Sequence, residues 1–360
     1  MLIAPDKFKG TLTATEAARA IADGWHQIRP EDDLTLLPMA DGGDGTASVL
    51  AEVLPDPQWV RVAAVDAIGR PHPGRYLRSH DTAVVELAEI CGIALLDELQ
   101  PMSSHTIGLG IVIAAALRAG VSRILIAPAG SASTDGGTGA LAALGARFRG
   151  RDGLLPVGGE GLSSLVGVAL DGLETLPEKG VDVLVDVDAP LYGPSGAAFV
   201  FGPQKGASDE QVAELDAGLR QLASVLGGEP EAPGAGAAGG VGYGLACWGA
   251  RLVAGAEEIA RLIGLDDVAR EADVVITGEG RFDDTSLSGK ACGHVLAVAG
   301  GVAGGGRGYV IAGSVADNQR GSHALDLTEL AGSSDAARSD PARWLTQAAG
   351  DLARRDFGPR

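Results

Sequence analysis

Five segments of the sequence combine glycines with charged or hydroxyl side chains in spacings typical of sites for small anions. Glycine lets the backbone approach a ligand closely, and carboxylates and cations supply the charges that such chemistry needs. Together the five segments favour an enzyme that acts on a small anion. They are Asp6–Thr11, Met39–Thr46, Ala129–Gly137, Asp186–Gly206 and Thr277–Asp283, the last with Lys290 close behind.

The first segment, DKFKGT, places Asp6, Lys7 and Lys9 directly after a predicted strand. The two lysines can pair with a carboxylate or with a phosphoryl group. An ordinary surface loop has the same composition, so this segment alone does not separate the two interpretations.

The second segment, MADGGDGT, has two aspartates on either side of Gly42 and Gly43. The glycines predict a tight turn that a small ligand can approach, and Asp41 can hold Mg²⁺ or accept a hydrogen bond from a substrate hydroxyl. Asp44 is interpreted as the cap of the helix that follows. A plain glycine turn would have the same sequence.

The third segment, AGSASTDGG, leads from a predicted strand into a helix. Its small residues expose successive N–H groups and suit an anion nest. The candidate ligands of that anion are Gly130, Ser131, Ser133, Asp135 and Gly136. The segment matches neither GxxxxGK[ST] nor GxGxxG.

The fourth segment supplies Asp188 and Lys205. Asp188 follows a predicted buried strand, where a general base for a hydroxyl group is useful, although an Asp before Ala-Pro is also typical of a turn. Lys205 lies between glycines and is a candidate phosphate contact.

The fifth segment, TGEGRFD, contains two acids and an arginine, and Lys290 follows. Carboxylates suit Mg²⁺ and cations suit the migrating charge of phosphoryl transfer. We therefore expect Glu279 and Asp283 to bind metal, with Arg281 and Lys290 nearby.

Each segment follows a predicted strand, and strands alternate with helices along the chain. This alternation predicts an α/β fold with largely parallel sheets, whose ligands bind beyond the carboxyl ends of the strands. Gly227–Gly244 is rich in glycine and is interpreted as an ordered loop that approaches a ligand. The predicted strands are Leu2–Ala4, Leu34–Pro38, Arg123–Ala127, Val181–Asp186 and Asp273–Thr277.

The composition excludes several classes of protein. The 360 residues carry a formal net charge of −19, which disfavours nucleic-acid binding. Apolar runs are too short to span a membrane, and three scattered cysteines suit a reducing compartment. We expect a cytoplasmic protein with no nucleic-acid or membrane partner. Formation of a homodimer is left as a possibility.

The motifs occur in the order that is typical of the type-1 glycerate kinases. APDKFKGTL resembles the family's APDSFKGSL, PMADGGDGT its PMADGGEGT, and AGSASTDGG its GGSATNDGG. The stretches FGPQKGA, PGAGAAGG and VITGEGRFD also match. The resemblance implies phosphorylation of D-glycerate by ATP, with Mg²⁺, at the 2-hydroxyl.

The sequence departs from the family at Thr134 and Ala189, where the family has Asn. These departures leave open a kinase for another short hydroxy acid. Transfer to the 3-hydroxyl, giving 3-phosphoglycerate, also stays open, as does a non-catalytic sensor of an acidic metabolite.

The resemblance implies two unlike α/β domains, one inserted into the other, with the active site in the interdomain cleft. We expect one domain at residues 1–66 plus 281–360 and an inserted Rossmann/flavodoxin-like domain at residues 67–280.

Phosphoryl transfer then suggests a role for each candidate. Lys7 and Lys9 bind the glycerate carboxylate or the migrating phosphoryl group, and Asp41 or Asp188 deprotonates the alcohol. The segment from Gly130 to Gly137, with Lys205 and Lys290, holds the nucleotide phosphates. The substrate-binding site is expected to be lined by Asp6, Gly42, Gly43 and Arg281.

Overall fold

The computed structural model describes residues 1–151, 153–287, 290–300, 308–321 and 323–358. The chain forms two compact units. Unit 1 combines Met1–Asp41 with Gly255–Arg360, and unit 2 is the continuous segment Gly42–Ala254.

The first segment of unit 1 contains strand β1 (Leu2–Ile3), helix α1 (Ala14–His26) and strand β2 (Thr35–Leu36). A capping box starts α1, because the Thr13 hydroxyl accepts a hydrogen bond from the Glu16 N–H and the Glu16 carboxylate accepts one from the Thr13 N–H.

Unit 2 contains helices and strands in irregular alternation. In chain order they are α2 (Thr46–Val53), β3 (Gln58–Val65), β4 (Pro71–Ser79), β5 (Thr82–Glu86), α3 (Ala88–Cys91), α4 (Ile107–Arg118), β6 (Arg123–Ala127), α5 (Thr138–Ala143), β7 (Arg147–Gly150), β8 (Gly153–Leu154), β9 (Leu165–Ala169), β10 (Val181–Val185), α6 (Ala197–Phe201), α7 (Asp209–Leu226), α8 (Ala237–Trp248) and β11 (Arg251–Ala254).

The second segment of unit 1 ends in a group of helices. Its elements are α9 (Gly255–Ile263), α10 (Leu265–Glu271), β12 (Val275–Phe282), α11 (Ala291–Val298), β13 (Gly308–Val315), β14 (Ala324–Asp326), α12 (Leu327–Ala331), α13 (Ser334–Ser339) and α14 (Pro341–Asp356).

The sheet of unit 1 is parallel throughout its described strands, in the order β14-β13-β12-β1-β2. β1 is buried on both faces, which explains its short, wholly apolar sequence. The apolar faces of helices cover the sheet. Helices α1 and α14 contribute to one hydrophobic core, and α9, α10 and α11 contribute to another.

The main sheet of unit 2 has the order β11-β10-β6-β5-β4-β3. Its first four strands are parallel, and β4 and β3 extend it as antiparallel strands. A separate antiparallel sheet pairs β8, β7 and β9. The predicted α/β fold with largely parallel sheets is confirmed.

Several predicted element boundaries are wrong, and the strand predicted at Leu34–Pro38 spans only Thr35–Leu36. The strand predicted to end at Thr277 continues to Phe282, because the glycines at 278 and 280 permit a close approach to neighbouring backbone and Arg281 pairs with Ser314 of β13. The predicted loop Gly227–Gly244 becomes helix α8 from Ala237 onward.

The two units also differ from the predicted domain ranges, which change at residues 66 and 280. Residues 42–66 fall in unit 2 because β3 pairs with β4 along its whole length. Residues 255–280 fall in unit 1 because β12 pairs with β1.

Candidate functional site

Three strands of unit 1 bring carboxylates to the same edge of their sheet. The Met39 N–H donates to the Pro5 carbonyl at 2.8 Å, and the Asp6 N–H donates to the Gly278 carbonyl at 2.8 Å. These bonds continue the parallel pairing of β2, β1 and β12 past the ends of the short strands. As a result Asp41, Asp6 and Glu279 lie at the carboxyl edge, where parallel sheets bind ligands.

Asp6 is a buried carboxylate, with 9% of the residue exposed. Its Oδ1 accepts a hydrogen bond from the Lys7 N–H at 2.7 Å. Burial, followed by the negative charge of Asp41, raises the pKa of Asp6 to about 7, and the charge of Lys7 partly opposes this. Asp6 is therefore poised to exchange a proton near neutral pH.

Glu279 has one oxygen, Oε1, that is buried and has no hydrogen-bond partner among the described residues. Burial also raises the pKa of Glu279. Beside it lies the fully buried thiol of Cys292, whose pKa is raised by burial and by the charge of Glu279. The Thr277 hydroxyl lies 3.3 Å from Cys292 Sγ and donates to the Ala4 carbonyl.

Asp283, the second predicted metal ligand, is engaged in local bonds. Its Oδ1 accepts from the Thr285 N–H at 3.0 Å and from the Thr285 hydroxyl at 2.7 Å, and its Oδ2 lies 3.2 Å from Arg281 Nε. These bonds, the Thr285 hydroxyl first, lower the pKa of Asp283. Its role as a metal ligand stays a prediction.

The described residues include no group of three or more His, Cys, Asp or Glu side chains already arranged to hold a metal ion. Proteins commonly bind Mg²⁺ through one or two carboxylates together with substrate phosphates. Glu279, with its unpartnered buried oxygen, fits such a ligand best.

The predicted cations of unit 1 differ in exposure. Lys7 is half-buried and Lys9 is exposed on the turn after β1. The Arg281 side chain is 72% exposed and pairs with Asp283. Lys290 directly precedes α11, and its charge partly opposes the rise that burial causes in the pKa of Glu279.

In unit 2, the Gly42–Asp44 segment crosses the carboxyl edge of the main sheet. A Cβ on Gly42, which has φ +94°, would lie 2.5 Å from the Leu184 carbonyl oxygen. A Cβ on Gly130 would lie 2.7 Å from Asp44 Oδ1. Gly42 is thus needed for a close approach to the backbone of β10, and Gly130 leaves room for the Asp44 side chain. The approach of a ligand to Gly42 stays a prediction.

Asp44 does not cap α2, contrary to the interpretation from sequence. Asp44 is exposed, and the buried carboxylate of Glu86 accepts hydrogen bonds from the Gly45 N–H at 2.7 Å and the Ala47 N–H at 3.1 Å. Burial raises the pKa of Glu86 against the effect of these two bonds. The sequence analysis missed Glu86 because its partners lie about forty residues away along the chain.

Asp135 is wholly buried and organises its own loop. Its Oδ2 accepts from the Thr106 N–H, the Thr106 hydroxyl and the Gly139 N–H, and its Oδ1 from the Gly137 N–H. The Gly136 N–H donates to the Gly239 carbonyl at 3.0 Å. The N–H groups predicted to hold an anion are therefore bonded within the unit at these glycines.

Lys205 joins that loop from the other side, and only 2% of it is exposed. Its Nζ donates to Ser131 Oγ at 2.8 Å and to the Ser133 carbonyl at 2.5 Å. The hydroxyls of Ser133 and Thr134 are buried without a hydrogen-bond partner among the described residues. Asp188 is exposed on the segment after β10, apart from this buried cluster.

A cavity of about 570 Å³ in unit 2 lies beside α8 and β11. Its lining includes Glu229 and Tyr243 of the segment Gly227–Gly244, with Cys247 and Leu252, and contains none of the predicted catalytic, substrate, cofactor or metal residues. The chemistry-bearing side chains lie at the carboxyl edges of the sheets, so we do not place the site in this cavity.

The described part of the chain contains no helix with the length and apolar character needed to cross a bilayer.

Comparison with known proteins identifies the family. The family model described as the glycerate kinase family matches residues 1–355. Glycerate kinase of Bacillus subtilis (strain 168) is 38% identical over 302 residues, covering 81% of this chain and 79% of the relative. Glycerate 2-kinase of Escherichia coli (strain K12) is 36% identical over 305 residues, with the same coverage of 81% and 79%.

A solved structure is similar along almost the whole chain. It is the crystal structure of a Salmonella typhimurium LT2 protein assigned as glycerate kinase 2, with 33% identity and a TM-score of 0.82 over 98% of this chain and 96% of that one. The sequence motifs, the parallel sheets and these matches agree, and the chain belongs to the glycerate kinase family.

Proposed function

We propose that this protein transfers the γ-phosphoryl group of ATP to the 2-hydroxyl group of D-glycerate, which yields 2-phosphoglycerate and ADP. The observation that carries the proposal is the match to glycerate kinases over most of the chain, one of which is glycerate 2-kinase. The carboxylates and lysines at the carboxyl edge of the unit 1 sheet support it, because phosphoryl transfer needs positioning and charge neutralisation.

In this proposal a carboxylate accepts the proton of the glycerate hydroxyl while its oxygen bonds to the γ-phosphorus and the bond to the ADP oxygen breaks. Asp41 is the first candidate, since it is buried beside Asp6 at the strand edge. Asp188, exposed after β10, is the second. Lys7 and Lys9 bind the glycerate carboxylate or the migrating group, and Asp6 and Arg281 orient the substrate.

Mg²⁺, when bound, would neutralise charge on the β- and γ-phosphate oxygens. Glu279 fits its coordination through the buried, unpartnered Oε1, with Asp283 as the second candidate. Lys290 would approach the nucleotide phosphates from the start of α11. In unit 2, the loop from Gly130 to Gly136 is the proposed wall of a phosphate site.

The test is a coupled assay of ADP release with ATP and D-glycerate, followed by phosphorus NMR of the product. Release that depends on D-glycerate and a 2-phosphoglycerate signal support the proposal. Product phosphorylated at the 3-position contradicts the proposed regiochemistry. Faster turnover with tartronate or erythronate than with D-glycerate contradicts the proposed substrate.

The proton acceptor is tested with Asp41→Asn and Asp188→Asn in the same assay. We expect Asp41→Asn to lower kcat by about 10²-fold or more, a usual contribution of general base catalysis. We expect Asp188→Asn to leave most of the turnover. The opposite pattern assigns the proton to Asp188, and near wild-type turnover in both variants contradicts the proposed base.

We further propose a cytoplasmic location, where ATP is available. The cysteines at 91, 247 and 292 are free, as expected in a reducing compartment.

A further inference from the structure

Lys205 lies at the end of the short 3₁₀ turn Pro203–Lys205, with its ammonium group enclosed by unit 2. Its hydrogen bonds to Ser131 Oγ and to the Ser133 carbonyl both reach the loop that follows β6. One side chain therefore fixes both a hydroxyl and a peptide plane of the segment from 131 to 134.

A second segment closes over the same ammonium group. Ala238, Gly239 and Gly240 have φ values of +55°, +72° and +91°, a left-handed turn inside α8. A Cβ on Gly239 would lie 2.1 Å from the Ser133 carbonyl oxygen and 2.9 Å from Lys205 Nζ. The glycine is needed because the loop and the lysine occupy that space.

The surroundings of Lys205 disfavour direct contact with a phosphate. Burial lowers the pKa of Lys205 to about 7, and the negative charge of Asp135 partly opposes this. A buried ammonium group is retained at a cost in free energy, so we expect it to have a role. The geometry indicates that Lys205 acts through Ser131 and Ser133, with which it forms hydrogen bonds.

We propose that Lys205 is a positioning residue, which locks the Ser131–Thr134 loop against residues 238–240 and does not itself contact the nucleotide. The inference rests on the proposed function, because the loop is the proposed wall of the phosphate site. Displacement of such a wall by about 1 Å can lower the rate on the order of 10²-fold.

The experiment compares Lys205→Gln, Ser131→Ala and the double variant in the coupled assay, with amide hydrogen exchange measured on the ligand-free proteins. Lys179→Gln is the matched control, because Lys179 is a lysine of the same unit that pairs with Asp81 and has a side chain 57% exposed. We expect the control to keep wild-type kcat, KM and exchange.

Lys205→Gln is expected to lower kcat by about 10-fold or more and to change the KM for ATP by less than about 3-fold. The double variant is expected to lose little more than Lys205→Gln alone, because both changes act on one contact. A raised KM for ATP with unchanged kcat would show a direct phosphate ligand and overturn the proposal. Unchanged kcat and KM with only a lower Tm would show a merely structural role and also overturn it.

Amide exchange separates this inference from the proposed reaction. The Gly136 N–H bonds to Gly239, so loss of the lysine is expected to speed its exchange about 10-fold while β6 stays protected. If the wild-type protein has no activity with D-glycerate, the proposed function fails, and exchange at Gly136 still decides the role of Lys205. Unchanged exchange there overturns the inference. If Lys205→Gln does not fold, Ser131→Ala is measured in the coupled assay and by amide exchange. Wild-type kinetics together with wild-type exchange at Gly136 in Ser131→Ala then overturn the inference.

Discussion

Asp6 shows how a single residue can be useful to a site and costly to the fold. It is buried at the end of β1, near the charges of Asp41 and Glu279, and its pKa is raised to about 7. A raised carboxyl pKa means that between about pH 4 and pH 7 the folded state binds a proton that the unfolded state has released. Stability therefore falls as the pH rises through that range, and the cost is fully present above pH 7.

The Asp6→Asn variant is expected to remove this cost. At pH 8, without Mg²⁺, we expect the free energy of unfolding of Asp6→Asn to exceed that of the wild type by on the order of 1–3 kcal/mol. The variant should therefore unfold at a higher temperature. The difference should shrink as the pH is lowered to about 4. Thermal unfolding followed by circular dichroism at several pH values measures it. Asp23→Asn, on the exposed side of α1, is the control. A difference that does not vary with pH contradicts this account.

Thr134 presents a different cost, a buried hydroxyl with no hydrogen-bond partner among the described residues. Thr134→Val keeps the shape and removes the polar group, so we expect equal or greater stability. Thr138→Val is the matched variant, because its hydroxyl donates to the Asp135 carbonyl at 2.8 Å, and it should lose about 1 kcal/mol. Chemical denaturation measures both. A loss at Thr134 as large as that at Thr138 would indicate a buried water as its partner.

At the scale of elements, Glu86 illustrates how a helix is stabilised from outside its own sequence. Gly45, at the start of α2, offers no capping side chain, and Glu86 at the end of β5 accepts the hydrogen bonds instead. A carboxylate at a helix N-terminus also interacts favourably with the helix dipole. This pairing connects the second motif to the main sheet of unit 2.

Glu86→Ala is therefore expected to destabilise the protein by about 2 kcal/mol, since a part-buried and a buried N–H group lose their acceptor. Glu86→Gln, which keeps one acceptor oxygen, should cost less. Glu98→Ala removes an exposed carboxylate of the same unit and should change stability little. Urea unfolding with all three variants gives the comparison. Equal effects of Glu86→Ala and Glu98→Ala would contradict the capping role.

Local sequence patterns predicted where the parallel strands lie. They did not predict contacts between residues that are distant along the chain. Arg123–Ala127 has the predicted bounds, because its apolar run is a local signal. The extension of β12 to Phe282 depends on pairing with β13, which no local pattern shows.

The same distinction holds for the candidate site. The sequence placed Asp6, Asp41 and Glu279 after predicted strands, but their position at one edge depends on the pairing of β2, β1 and β12. The burial of Lys205 and Asp135, and the caps made by Glu86, depend on contacts across many residues of chain. Glycine-rich composition predicted an anion nest, whereas at Gly136 and Gly137 the N–H groups bond internally.

At the scale of the whole molecule, the hydrophobic cores follow the two units. One large core contains only residues of unit 2, from Ala64 to Ala250. Two cores of unit 1 combine residues from both of its chain segments. Unit 1 is therefore complete only when the last helix of the chain packs on the first.

The contact between α1 and α14 is a second link between those segments, beside the pairing of β1 with β12. A Cβ on Gly24 would lie 2.0 Å from the Thr346 carbonyl oxygen, so the two helices approach at their backbones. Arg29 donates to the carbonyls of Phe357 and Gly358, at 3.0 and 2.9 Å. The C-terminal segment, in which the sequence shows no motif, thus forms part of the core that supports β1 and Asp6.

Leu352→Ala tests whether the two units depend on separate cores. Leu352 is fully buried in α14, and its truncation should cost about 2–5 kcal/mol in the unit 1 core. We expect amide exchange to accelerate in peptides from residues 1–41 and from α14, while peptides from β5 and β6 keep wild-type protection. Gln347→Ala, on the exposed side of the same helix, should change neither. Equal acceleration in both units would mean that they unfold as one cooperative body, and the separation of their cores would then have no consequence for stability.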